Sequence, residues 1–142
     1  NRLQRSALYR HRAWWVYEPL DADAMHAAAQ QLLGEHDFSA FRAAGCQAAQ
    51  PVREITSIGV TRSGDWLTLD VTANAFLQHM VRNIIGTLAE IGFGERDVSW
   101  VGQVLSSRDR TVGGIAAPPH GLTLISVKYP PQFELPEAAD CT

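Results

Sequence analysis

The 142-residue sequence predicts a single α+β domain with a mainly antiparallel sheet and helices packed on one face of it. Three observations predict this class. Two runs of alternating apolar residues, 53–61 and 66–73, are separated by a turn. Stretches with helical periodicity precede and follow that hairpin. Further apolar runs near the start and end of the chain have the composition of strands.

The first seventeen residues combine a basic stretch with an aromatic one. Residues 7–17, "ALYRHRAWWVY", predict a strand, on which Trp14 and Trp15 would point to opposite faces. For both indoles we favour packing over stacking on a nucleobase. The first dozen residues contain no acid and predict a local basic patch. The residues of this patch are Arg2, Arg5, Arg10, His11 and Arg12.

The first predicted helix begins after Asp21, a favourable N-cap residue. Leu20 and Met25 have the spacing of a hydrophobic staple, and Gly34 is suited to end the helix. The segment "EHDFSAF" (35–41) predicts a short helical turn in which Asp37 is a cap rather than a catalytic carboxylate. The residues expected to be buried are Met25, Ala28, Ala29, Leu32, Leu33, Phe38 and Phe41.

The hairpin is predicted from strict alternation on both strands. "RSGD" (62–65) separates them, and Gly64 is free to adopt a positive φ. The inward-facing positions are expected to be Thr56, Ile58 and Val60 on the first strand and Leu67, Leu69 and Val71 on the second.

A second helix is predicted over 75–91, with apolar residues on one half of its circumference. Arg82 lies near the centre of the polar half, with Asn83 and Gly86 beside it. A glycine inside a helix costs about 1 kcal/mol relative to alanine, so another backbone or a ligand is expected close to Gly86. Arg82 has no acidic residue three or four positions away. The polar half of this helix is either a solvated surface or a functional surface, and the residues alone do not distinguish the two.

The rest of the chain predicts a helix that is capped by Asp97 and runs to about Leu105, a Gly- and Pro-rich loop over 109–121, and a strand over 122–130. With residues 7–17, or a segment before Asn1, as the first strand, the order becomes β-α-β-β-α-β. This is the split βαβ unit of ferredoxin-like folds. RNA-recognition sheets of the RRM type share it.

Composition excludes several classes of protein. The net charge of −3 gives no general preference for nucleic acid, although 11 of the 12 basic residues are Arg. Cys46 and Cys141 predict free thiols rather than a disulfide framework or a metal site. No stretch has the length of a membrane span and no secretory signal pattern is present, so neither a metal nor a membrane partner is expected.

Four blocks of the sequence resemble a known protein family. They are "LDADAMHAAAQQLLGEHDFSAFRAAGCQ" (20–47), "PVREI" (51–55), "DVTANAFLQHMVRNIIGTLAEIG" (70–92) and "PPHGLTLISVKYP" (118–130). Together they resemble the C-terminal half of the tRNA pseudouridine synthase A (TruA) family, over about residues 1–133. The "GEHDF" and "NAFLQHMVRNIIGTL" segments are long and specific.

The resemblance implies a cofactor-free, cytoplasmic, homodimeric isomerase. Such enzymes convert uridine to pseudouridine at positions 38–40 in the anticodon stem-loop of tRNA. Arg82 would pair with the family's catalytic aspartate, while His79 and Asn83 would line the same RNA-binding cleft. The expected phosphate contacts, beside the basic N-terminal stretch, are Arg53, Arg108 and Arg110.

The chain departs from the family pattern in one large respect. The catalytic aspartate belongs to a Gly-Arg-Thr-Asp-type motif that this chain lacks, and "RTVGG" (110–114) carries Val112 where the acid would stand. A smaller departure is Ala116, where relatives usually carry threonine. We therefore expect 1–133 to be the C-terminal domain of a longer enzyme, followed by a loosely ordered tail over 134–142.

Two alternatives remain at this point. The domain is a non-catalytic RNA-binding or dimerisation module of the same fold, or it is a ferredoxin-like binder of small molecules. A small-molecule binder predicts a closed apolar pocket near Arg82. An RNA-binding domain predicts an open basic cleft there.

Overall fold

A computed structural model describes residues 1–134 as one small sheet with helices on one face. Its elements are α1 (Ala22–Ala29, continued by a 3-10 turn over Gln30–Leu32), β1 (Gly34–Asp37), a 3-10 turn (Ser39–Phe41), β2 (Val52–Ser63), β3 (Trp66–Ala73), α2 (Met80–Gly92), α3 (Trp100–Ser107) and a 3-10 turn (Pro131–Phe133). Of the predicted tail over 134–142, residues 135–142, with Cys141, lie outside the described residues.

The sheet is antiparallel, with strand order β1-β2-β3. Gly34 pairs with Ile55 between β1 and β2, and Ser63 pairs with Trp66 across the hairpin turn. Gly64 adopts a φ of 60° in this two-residue turn, as predicted. The predicted α+β class and the antiparallel sheet are confirmed.

A β-bulge changes which residues of β2 face the core. The pairing with β3 shifts between Ile55 and Ser57, so Thr56 is the extra residue. Thr56 is exposed and Ile55 is 1% exposed, whereas Ile58 and Val60 are buried as predicted. The prediction of an inward Thr56 was wrong because the bulge interrupts the period-two alternation.

The α1 region follows the sequence prediction with two differences. The Asp21 carboxylate accepts a hydrogen bond from Ala24 N at 3.0 Å, as an N-cap residue does. Leu33 is 39% exposed, because the chain leaves the helical conformation there. Residues 34–37 form β1 instead of a helical turn, since their backbone pairs with β2. The predicted burial of Phe38 and Phe41 is confirmed.

Helix α2 begins later than predicted. His79 adopts a φ of 61°, which ends any continuous helix from residue 75, and the helix starts at Met80. The polar half of α2 is also more buried than the periodicity indicates. Asn83 is 1% exposed, and Gly86 is buried. The cover over this half comes from the loop after α3 and from the turn that contains Phe41.

Two predicted strands are not formed. Residues 7–17 make turns, with Arg12 N and Ala13 N both donating to Tyr9 O. Residues 122–130 are exposed throughout and carry no strand pairing, so large apolar side chains such as Ile125 face solvent. A strand needs a neighbour to satisfy its backbone groups, and neither segment pairs with one within residues 1–134. Residues 109–121 form a loop without helix or strand, as predicted.

Helix α3 starts at Trp100, and its N-cap residue is Ser99 rather than the predicted Asp97. The Asp97 carboxylate instead accepts a hydrogen bond from the Ser99 hydroxyl at 2.7 Å, in the turn before the helix. Helices α1 to α3 bury their apolar faces in a continuous core with the inner face of β2. No helix within residues 1–134 is long and apolar enough to cross a membrane.

Substitution of Ile84, which is fully buried on α2, tests the position of this core. Ile84→Ala is expected to lower the free energy of unfolding by about 2–5 kcal/mol, because it leaves a cavity. Ile125→Ala is the matched control: that side chain is 75% exposed, and the expected loss is under about 0.5 kcal/mol. Urea unfolding followed by circular dichroism measures both. Equal losses would contradict the described core.

Candidate functional site

A partly open cleft of about 460 Å³ lies between the N-terminal segment, β3, α2 and residues 117–122. Its lining combines apolar side chains with arginines. The apolar side chains include Trp14, Val16, Leu69, Val81 and Ile85, and the arginines are Arg2, Arg5, Arg10, Arg12 and Arg82. Asp65 is the single carboxylate among the described residues that line the cleft, and it lies 4.0 Å from the Arg2 guanidinium.

Arg82 is half-buried and is held by the loop that crosses α2. Its Nε donates a hydrogen bond to Ala117 O at 2.7 Å, and Ala117 N donates to Arg82 O at 3.0 Å. No hydrogen bond of the two Nη atoms to another part of residues 1–134 is formed, so the far edge of the guanidinium is available for a ligand. Arg82 is therefore not part of a freely solvated face.

Gly86 permits the close approach of this loop, as predicted from its place in the helix interior. A Cβ atom at position 86 would overlap the carbonyl group of Ile115, and one at Gly114 would lie 2.8 Å from Gly86 O. Gly114 N also donates a hydrogen bond to Thr87 Oγ1 at 3.1 Å. Two glycines thus bring the loop backbone into direct contact with α2, one turn from Arg82.

Asn83 lies beneath the cleft rather than on its wall. Its Nδ2 donates to Phe41 O at 2.8 Å, and its Oδ1 accepts from Arg110 Nη2 at 2.9 Å. The side chain is 1% exposed and both of its polar atoms have protein partners. Direct contact between Asn83 and RNA stays a prediction, and this geometry indicates a supporting position instead.

The other predicted RNA contacts are not brought together in the cleft. His79 is exposed at the start of α2. Arg53, on β2, donates to Gln50 O and Val52 O. Arg110 donates to Asn83 in the loop after α3. Of these six individually proposed residues only Arg82 lines the cleft, where it is joined by Arg2, Arg5, Arg10 and Arg12 of the basic N-terminal stretch. The contacts of the other five with RNA stay predictions.

Arg108 lies at a separate surface depression with His36 and Asp37. Its Nε is 3.6 Å from the Asp37 carboxylate. The Ser39 hydroxyl donates to that carboxylate at 2.5 Å and is the main reason that the pKa of Asp37 lies below its usual value. Asp37 is thus ionised at neutral pH, and from the end of β1 it caps the 3-10 turn by accepting from Ser39 N at 2.9 Å, in agreement with the predicted structural role.

The structure adds cleft residues that sequence periodicity assigned to other roles. Val81 and Ile85 belong to the apolar half of α2, yet they are only half-buried and face the cleft. Trp66, next to the hairpin turn, packs edge-on against Tyr9 with ring centroids 4.8 Å apart. The basic N-terminal patch was visible in the sequence, but its position opposite Arg82 depends on the tertiary fold.

The described part of the chain contains no group of three His, Cys, Asp or Glu side chains that could hold a metal ion. Cys46 is a free thiol.

Comparison with known proteins gives the family. The family model described as tRNA pseudouridine synthase matches residues 28–130. This match includes α2, Arg82 and the loop to Ala117. The chain belongs to the tRNA pseudouridine synthase family.

Several members of this family are similar over nearly the whole chain. The tRNA pseudouridine synthase A of Xanthomonas euvesicatoria pv. vesicatoria is 54% identical over 136 residues, which are 96% of this chain and 53% of the relative. The Hydrogenovibrio crunogenus protein of the same name is 51% identical, over 96% of this chain and 52% of the relative. The tRNA pseudouridine synthase A of Bordetella avium is 50% identical, over 94% of this chain and 50% of the relative. The chain therefore spans about half the length of these synthases.

Substitution of Gly86 tests the contact between α2 and the loop after α3. Gly86→Ala is expected to lower the free energy of unfolding by about 1–3 kcal/mol, because backbone atoms must move. Gly102→Ala, inside α3, is the matched control. Its Cβ would meet only the flexible end of Gln31, so the better helix propensity of alanine leaves stability unchanged or raises it by up to about 1 kcal/mol. Urea unfolding gives both values, and changes of the same sign would contradict the described contact.

Proposed function

We propose that this chain is the C-terminal domain (residues 1–133) of an enzyme that isomerises uridine to pseudouridine in tRNA. In this reaction the bond from C1′ to N1 breaks, the uracil turns, and a bond from C1′ to C5 forms. The proton on C5 is released and N1 becomes protonated, so substrate and product are isomers. Family membership supports the reaction class, and the cleft beside Arg82 supports the position of the uridine.

The observation that carries the proposal is the orientation of Arg82. Its Nε donates to Ala117 O, while its two Nη atoms form no hydrogen bond within residues 1–134 and lie at a cleft lined by apolar side chains and arginines. A planar guanidinium edge of this kind matches the two oxygens of a carboxylate. In our proposal this edge orients the catalytic aspartate of the full-length enzyme and keeps it ionised, because a nearby positive charge favours the charged form.

The charge of the cleft supports tRNA as the substrate. The whole chain carries a net charge of −3, but among residues 1–134 five arginines and one carboxylate line this cleft. Such a local positive field attracts a phosphate backbone despite the overall charge. The proposed site on tRNA is the anticodon stem-loop, positions 38–40, in accordance with the family resemblance.

The same resemblance supports three further parts of the proposal. The full-length enzyme is a homodimer, it acts in the cytoplasm, and its chemistry uses no cofactor. No residue of this chain is assigned to the dimer contact.

Arg82→Ala in the full-length enzyme is expected to abolish pseudouridine formation, measured as tritium release from 5-tritiated uridine in tRNA. The aspartate would lose its charged partner and its fixed direction. Arg82→Lys should also lose most of the activity, because an ammonium group cannot donate to Ala117 O and to a carboxylate with the same geometry. The loss of the hydrogen bond from Arg82 Nε to Ala117 O is expected to lower the free energy of unfolding by about 1 kcal/mol.

Arg42→Ala is the matched control for this experiment. Arg42 is also half-buried and also donates to backbone carbonyl groups, those of Cys46 and Ala48, but it does not line the cleft. Its substitution should cost a similar amount of stability and leave turnover near that of the wild type. A folded Arg82→Ala enzyme with near wild-type turnover would sink the proposed role. A full-length wild-type protein that binds tRNA without turnover would instead identify a non-catalytic RNA-binding module.

The arginines that line the cleft predict salt-dependent binding of tRNA. The double variant Arg5→Ala/Arg12→Ala should weaken binding and reduce the slope of log K against log salt by roughly two, since each lost phosphate contact removes about 0.9. Filter binding over a salt series measures this slope. Arg96→Ala, which removes the same kind of charge away from the cleft, should leave the slope unchanged. Equal slopes for all three proteins would contradict phosphate binding by the N-terminal patch.

A further inference from the structure

Arg110 reaches α2 from the loop after α3 and ends on a buried side chain next to Arg82. Its Nη2 donates to Asn83 Oδ1 at 2.9 Å. The Nδ2 atom of Asn83 donates in turn to Phe41 O at 2.8 Å. Because Asn83 is 1% exposed, solvent does not replace the Arg110 contact without rearrangement. One side-chain amide therefore connects the first residues of the loop, α2 and the turn at Phe41.

The loop is attached to α2 at two further points along its course. Gly114 N donates to Thr87 Oγ1 at 3.1 Å, and Thr87 Oγ1 donates to Asn83 O at 2.8 Å. Ala117 then exchanges the hydrogen bonds with Arg82 that fix its guanidinium. The loop thus has three attachments to one helix, and Arg110 provides the first of them.

We propose that Arg110 is a positioning residue for Arg82. This proposal rests on the function proposed above for Arg82. Arg110 holds the start of the loop on Asn83, and the loop presents Ala117 O to the Arg82 guanidinium. Without this attachment the carbonyl group of Ala117 is free to shift, and the Nη edge of Arg82 loses its direction. A displacement of about 1 Å between reacting groups lowers a reaction rate by roughly a hundredfold.

This role makes a different prediction from a phosphate contact, the role that the sequence alone suggests for Arg110. A positioning residue affects the chemical step and leaves the affinity for tRNA unchanged. A phosphate contact affects the affinity and its dependence on salt. The two roles are therefore separated by measuring the rate at saturation and the binding constant independently.

The experiment uses the full-length enzyme in single-turnover reactions with 5-tritiated tRNA. For Arg110→Ala, the rate constant at saturating enzyme is expected to fall by about 10- to 100-fold. The enzyme concentration for half-maximal rate and the salt slope of tRNA binding should stay within about twofold of the wild type. Arg110→Lys, whose ammonium group is able to donate to Asn83 Oδ1, should recover part of the rate. Arg96→Ala, an arginine with contacts to Glu90 and Trp100 outside the cleft, should behave as the wild type.

Three results would overturn the positioning role. The first is an unchanged rate constant for folded Arg110→Ala. The second is weaker tRNA binding with a salt slope reduced by about 0.9, which identifies a phosphate contact. The third is loss of folding by both Arg110 variants in circular dichroism, which identifies a residue needed for the fold. Arg82→Ala in the same assay separates the two proposals: full activity of that variant removes the function proposed for Arg82 itself.

Discussion

The contact between α2 and the loop over residues 113–117 is the constraint on which the site depends. A helix without a side chain at Gly86 accepts the loop backbone, and the loop in turn supplies the carbonyl group that holds Arg82. The contact has a local cost, because glycine weakens a helix interior. Hydrogen bonds between the loop and α2 offset this cost, because Gly114 N donates to Thr87 Oγ1 and Ala117 N donates to Arg82 O. The apolar half of α2 meanwhile packs into the core and keeps the helix in place.

Much of the fold follows from sequence periodicity. The hairpin, the N-cap at Asp21 and the helical nature of α2 rest on local patterns, and local patterns are what a sequence shows directly. The bulge at Thr56 was not predictable in this way, because one extra residue leaves the composition of the strand unchanged. The strands expected at 7–17 and 122–130 depend on neighbours, and apolar composition alone does not provide a neighbour.

The candidate site was predictable only where it depends on local sequence patterns. Gly86 beside Arg82 indicated a close backbone approach, and the structure shows that approach. The position of Asn83 was less accessible to sequence reasoning. Helical geometry placed it on the polar half of α2, but the cover over that half comes from residues more than twenty positions away in the chain. The opposition of the N-terminal arginines to Arg82 likewise required the tertiary structure.

The exposed segment over residues 122–130 has a practical consequence for work with this polypeptide by itself. Leu124 and Ile125 are each 75% exposed, and Leu122, Val127 and Tyr129 are more than half exposed. Within residues 1–134 this segment forms no strand pairing, and an extended segment with exposed apolar side chains and unpaired backbone groups is a template for intermolecular pairing. Purified at high concentration, the isolated domain is expected to self-associate through this segment. Polar substitutions at Leu124 and Ile125 are the direct route to a more soluble preparation, because they leave the core and the cleft unchanged.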